Sequence, residues 1–131
     1  MKDSRLVQDV FSNDQMVIVE KYEDFLNYVY PIVLNLPRKH SVVRDMFLAA
    51  AFDQARLFAE AGKSDQVSKL YAADAGLALL RFHLRFMVAS SRKLISLNQH
   101  KVASVHLAET GRILGAWIKT AKEETVRRRK G

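Results

Sequence analysis

Cysteine is absent from this sequence, and proline and glycine are scarce, with 2 Pro and 5 Gly in 131 residues. Without cysteine there is no disulfide framework and no thiolate metal site. With so little Pro and Gly, turn chemistry for a multi-stranded sheet is lacking. Apolar runs are short as well, and none approaches the ~20 residues that a membrane-spanning helix requires. The opening residues Met1-Lys2-Asp3-Ser4-Arg5 lead into no apolar stretch of the kind a secretory signal contains, so a cytoplasmic protein is the expectation. Acidic side chains are the scarcer sign: 14 Asp and Glu stand against 21 Lys and Arg.

What is present reads as a globular chain of one domain. Hydrophobic residues make up 49% and charged residues 27%, a balance that can bury a core. Stretches of Ala, Leu, Lys, Glu and Arg favour helix. The formal net charge of +7 biases the protein toward polyanionic partners, because long-range attraction and counterion release both favour association. Part of the excess is the run Arg127-Arg128-Arg129-Lys130, which reads equally as a solvated tail or as a contact for nucleic acid. The chain divides into an N-terminal extension (1–13), a helical domain (14–126) and a basic tail (127–131).

Periodicity predicts four helices. In the first, about Asp14 to Leu36, Val19, Tyr22, Leu26, Val29 and Val33 recur at three- and four-residue steps. Pro31 should kink it or start a new segment after Tyr30, because proline cannot donate to the helical ladder. The second should open at Ser41 as N-cap and stop at Gly62. The third should follow Ser64 or Asp65 as cap and run to about Ser90. After a polar loop, the fourth should run from a cap near Asn98 to about Thr125. Short connections make neighbours antiparallel, so the expected fold is all-α, an up-down-up-down four-helix bundle.

The third helix carries two apolar stripes. At about 100° per residue, Leu70, Ala73, Leu77, Leu80, Leu84 and Met87 fall on one side. Ala75, Leu79, Phe82 and Phe86 fall nearly opposite. A bundle monomer needs one stripe per helix, so the second calls for self-association or a protein partner. Asp74, Arg81 and Arg85 occupy the narrow polar seam between the stripes. The two arginines either meet carboxylates such as Asp45 or Glu109, or face phosphates or an acidic partner. On the fourth helix, Gly111 and Gly115 stand at small-xxx-small spacing, which points to close packing, with Arg112, Lys119 and Lys122 adding charge.

Catalytic and metal motifs are not found. Gly62-Lys63-Ser64 is preceded by Leu57 where a phosphate-binding loop needs glycine. His106 precedes Glu109, the reverse of the Glu-x-x-His pairs of a di-iron bundle. His83 reads as a packing histidine. No nucleophile, base and orienter assemble, so the expectation is no enzyme, no metal and no cofactor.

The stretch from Gly62-Lys63-Ser64-Asp65-Gln66 through Leu70-Tyr71-Ala72-Ala73-Asp74-Ala75-Gly76-Leu77 to Leu80-Arg81-Phe82-His83-Leu84-Arg85-Phe86 resembles the Avd accessory proteins of diversity-generating retroelements. These belong to a four-helix-bundle superfamily that also holds proteins encoded in intervening sequences of 23S rRNA. Asp14-Gln15-Met16, Tyr30-Pro31, Pro37-Arg38-Lys39-His40, Met46-Phe47-Leu48 and Gly111-Arg112-Ile113-Leu114-Gly115 carry the same resemblance. It spans about residues 14–118 and departs at His83, where a larger aromatic is expected. It implies a homopentameric barrel that binds the retroelement's reverse transcriptase and template RNA or cDNA and supports mutagenic retrohoming without catalysis of its own.

Candidate contacts to nucleic acid or reverse transcriptase are Arg81 and Arg85, then Arg38, Lys39 and Arg112 from the matched segments. Lys21, Lys119 and Lys122 join them on charge alone. The expected subunit interface is Leu79, Phe82, Phe86, Gly111 and Gly115. A protein encoded in an rRNA intervening sequence and a purely structural oligomerisation module are the alternatives.

Overall fold

A computed structural model describes residues 13–64 and 66–130. The expected extension (1–13) lies outside the described residues except for Asn13, as does Asp65, one of the two expected caps. Four helices follow in order: α1 (Asn13–Leu34), α2 (Ser41–Ser64), α3 (Val67–Val88) and α4 (Leu97–Lys130). Among the described residues there is no strand. A 3-10 turn, Arg38–His40, leads into α2. Contacts run α1–α2, α2–α3, α3–α4 and α4–α1, so consecutive helices close a ring around one core.

The core stripe of α3 is the one its period predicts: Leu70, Ala73, Leu77, Leu80, Leu84 and Met87 are all buried. In α1 the buried stripe is Ile18, Tyr22, Phe25, Val29 and Val33. Val19 and Leu26, expected in the core, are only partly buried. They lie on the flank toward α2, one residue around the helix from the true seam. Tyr22 is held by its hydroxyl, which donates to the Ala51 carbonyl of α2. Burial pushes that phenol well above its usual range, since the phenolate would be desolvated.

The boundaries differ from expectation for local reasons. Pro31 does not end α1, which continues to Leu34. It sits in the last turn, so the ladder bond it removes, to the Asn27 carbonyl, has little helix beyond it to disrupt, and the Asn35 side-chain amide donates to the Pro31 carbonyl at 2.8 Å. Ser41 has helical angles (φ −59°, ψ −32°), so it is a helical residue and not an extended N-cap. Gly62 does not adopt positive φ and α2 runs past it to Ser64. The extended residue before α3 is Gln66.

The turn after α3 closes with Leu94 donating to the Met87 carbonyl at 2.8 Å. Ile95, in the same turn, is buried. Ser96 and Gln99 then form a capping box: the Gln99 amide donates to Ser96 Oγ at 3.0 Å, and the Ser96 amide to Gln99 Oε1 at 2.9 Å. Two otherwise orphaned donors are satisfied reciprocally. The Arg127–Lys130 run continues α4 as its exposed last turn, where cations are favoured by the helix dipole. No described helix is long and apolar enough to cross a membrane.

Candidate nucleic-acid interface

The second stripe of α3 faces outward. Leu79 is 49% and Phe82 52% exposed, and Ala75 is exposed beside them. Phe86, half-buried, is capped by the Arg92 guanidinium 3.7 Å from its ring centroid. Phe82 touches only neighbours on its own helix among the ring contacts, His83 at 6.0 Å and Phe86 at 6.4 Å.

His83 bridges this stripe to the core, because its ring also meets Phe47 of α2 edge-on at 5.8 Å. Desolvation lowers its affinity for a proton below the ordinary value. The unfolded chain therefore takes up that proton first, and stability falls as pH drops below about 6.5, levelling off beneath the folded value. His83→Phe is expected to flatten this slope in thermal melts between about pH 7 and 5. An unchanged slope would assign it to other groups.

On the α4 side of α3, Arg81 and Arg85 line a shallow groove of about 390 Å³ with Ala78, Phe82, His100 and Ser104. Neither arginine forms an ion pair with a described residue. The carboxylates that sequence offered them are engaged elsewhere: Asp45 accepts from Arg44 at 2.9 Å, and Glu109 from Arg112 at 2.6 Å. Arg81 lies across Gly111, where a Cβ would come within 2.8 Å of its Nη2. The glycine admits a guanidinium there rather than a second backbone. A Cβ at Gly115 would meet nothing within 4 Å, so within the protomer its face is open.

The other basic candidates are spread over separate surfaces. Lys21 and Arg112 line a depression between α1 and α4 together with Asp24 and Glu109. There Arg112, first through its hydrogen bonds and then through its charge, holds the Glu109 carboxyl below the usual range, so much of this local charge is neutralised. Arg38 and Lys39 are exposed on the 3-10 turn at one end of the bundle. Lys119 is exposed on α4. Lys122 stands over Tyr71 of α3, 5.2 Å from its centroid, on the same α3–α4 side as Arg81 and Arg85. Sequence reasoning missed His100 and Ser104, whose place beside the arginines depends on the register of α4 against α3. Among the described residues no three His, Asp or Glu side chains converge as metal ligands.

The described residues thus form a small basic four-helix bundle in which the arginine groove lies beside the exposed apolar side chains Leu79 and Phe82. The chain belongs to the bAvd-like family, whose model matches residues 16–121. No curated protein matches it.

Proposed function

We propose that this chain is a non-catalytic accessory subunit of a diversity-generating retroelement. It self-assembles, as a homopentameric barrel on the family pattern, and holds the element's reverse transcriptase and its template RNA or cDNA during mutagenic retrohoming. The observation that carries the reading is the seam of α3, where Arg81 and Arg85 form no ion pair with a described residue and stand next to exposed Leu79 and Phe82. Unneutralised guanidinium groups suit phosphate, and an uncovered apolar stripe suits protein.

Arg81 and Arg85 are the primary contacts. Lys122 extends the same side, while Arg38, Lys39, Lys119, Lys21 and Arg112 contribute at longer range. Binding is mainly electrostatic, since Phe82 and His100 are the only rings in the groove's described lining, short of the row of aromatics that a stacking platform needs. Leu79 and Phe82 serve the subunit contact, with Phe86, Gly111 and Gly115 at its margins. The test is co-purification with the element's reverse transcriptase at low salt. Retention of the enzyme is expected, and a clean failure to associate would overturn the assignment.

A further inference from the structure

The groove between α3 and α4 has two walls, and the arginines account for only one of them. Arg81 and Arg85 stand four apart on α3, and His100 and Ser104 four apart on α4, so each pair is adjacent on its own helix surface. The two helices run antiparallel through a short turn. Arg85 is three residues from the end of α3 at Val88, and His100 three from the start of α4 at Leu97. Arg81 and Ser104 are each seven from the same ends. The register therefore sets one guanidinium level with the imidazole and the other level with the hydroxyl.

No carboxylate stands in the groove's described lining. His100 and Ser104 are half-buried there. The rings of His83 and His106 pack on Phe47 and Tyr28, whereas the His100 side chain makes no hydrogen bond or ring contact with a described residue. His100 also belongs to the first turn of α4, where the helix dipole favours an anion.

We propose that His100 is a third, titratable contact for a phosphodiester strand in this groove, beside Arg81 and Arg85, with Ser104 as a neutral donor. This rests on the polyanion binding proposed for the seam and specifies what regulates it. Side chains four apart on a helix stand roughly 6 Å from each other, close to the spacing of successive phosphates along a single strand. Two phosphates thus suit the two levels of the groove.

Histidine ordinarily becomes a cation as pH falls through about 6.5. An anion against the imidazole stabilises that cation, so binding takes up a proton. By linkage, affinity rises as pH falls through this range and levels off on either side. The charged groups around His100 do not supply such a change. Arg81 and Arg85 face it from α3, and arginine does not titrate here. Arg92 of the turn stacks over Phe86. Lys93 and Lys101 are exposed outside the described lining, to which α1 and α2 contribute no residue.

The probe is a single-stranded oligothymidylate, whose own charge is constant over the range used. At fixed ionic strength the wild-type protein is expected to bind it about three- to tenfold more tightly at about pH 5.5 than at about pH 8. His100→Gln keeps a polar side chain without the titration, and its gain on acidification should be less than about twofold. His100→Arg fixes the charge and should bind at the higher pH about as tightly as wild type does at the lower. His40→Gln and His106→Gln should retain the wild-type response. Thermal melts at both pH values confirm that each variant is folded. The inference is overturned if His100→Gln keeps the full response, or if wild-type affinity does not change with pH. A wild-type protein that fails to bind the strand at either pH would instead refute the seam reading beneath it.

Discussion

Gly76→Ala is expected to destabilise the bundle by about 1–2 kcal/mol, net of the up to about 1 kcal/mol by which alanine is the better helix former. The reason lies across the α2–α3 contact. Gln54 is a buried polar side chain of the core, and its Nε2 donates to the Ala73 carbonyl at 2.8 Å. Its amide oxygen occupies the space where a Cβ on residue 76 would stand, and Leu57 Cδ1 lies 2.8 Å from the same point. An added methyl must either expel the amide from its hydrogen bond, leaving a buried polar group unsatisfied, or force α2 and α3 apart. The first costs about 1–3 kcal/mol and the second about as much. Set against a total of roughly 5–15 kcal/mol for a domain, the loss would be plain in denaturant unfolding. Gln54→Ala in the same chain should recover part of it, as expected for a coupled pair. Gly115→Ala is the control for the fold of the protomer, within which the added methyl would meet nothing. A Gly76→Ala protein as stable as wild type would contradict this packing.

Reversing both seam arginines, Arg81→Glu with Arg85→Glu, is expected to weaken polyanion binding at least tenfold at about 0.1 M salt. It should also lower the salt dependence of the binding constant by about two units of logarithmic slope. Both side chains are exposed and form no ion pair with a described residue, so each is available for a phosphate and neither offsets a buried charge among those residues. Lys21→Glu with Arg112→Glu changes net charge equally. It should cost less, because Arg112 is already committed to Glu109 at 2.6 Å. If the two double variants lost binding equally, attraction would depend on net charge and not on the seam.

How much of this was legible in the sequence varied with the physical origin of each feature. The core stripe of α3 was readable because leucines at helical spacing have one low-energy place to go. In α1 the expected Tyr22, Val29 and Val33 are buried, while Ile18 and Phe25 take the core places expected for Val19 and Leu26. Val19 and Leu26 repeat as regularly as Ile18 and Phe25, and only the packing of α4 and α2 on either side decides between them. The capping box Ser96-Leu97-Asn98-Gln99 was written in the chain and passed over in favour of Asn98. Pro31 is expected to kink the helix or open a new segment, and α1 instead continues through it to Leu34, because with only one turn left to follow, the lost ladder bond disrupts little. Gly111 and Gly115 share one motif but have different surroundings, one beneath Arg81 and the other open, and spacing alone cannot separate them. The seam arginines were identified correctly as neighbours. Among the described residues they pair with no carboxylate, and the two acids offered to them are held in local pairs, Arg44 with Asp45 and Arg112 with Glu109.

The claim beneath all of this is that a lone protomer leaves apolar surface uncovered on α3. The measurement closest to it is the mass of the purified protein in dilute buffer by light scattering, for wild type and for Phe82→Asp. A wild-type mass several times 14.9 kDa, falling to a single subunit in the variant while its melting curve persists, is the expected result. A wild-type protein that remains one stable subunit would contradict it.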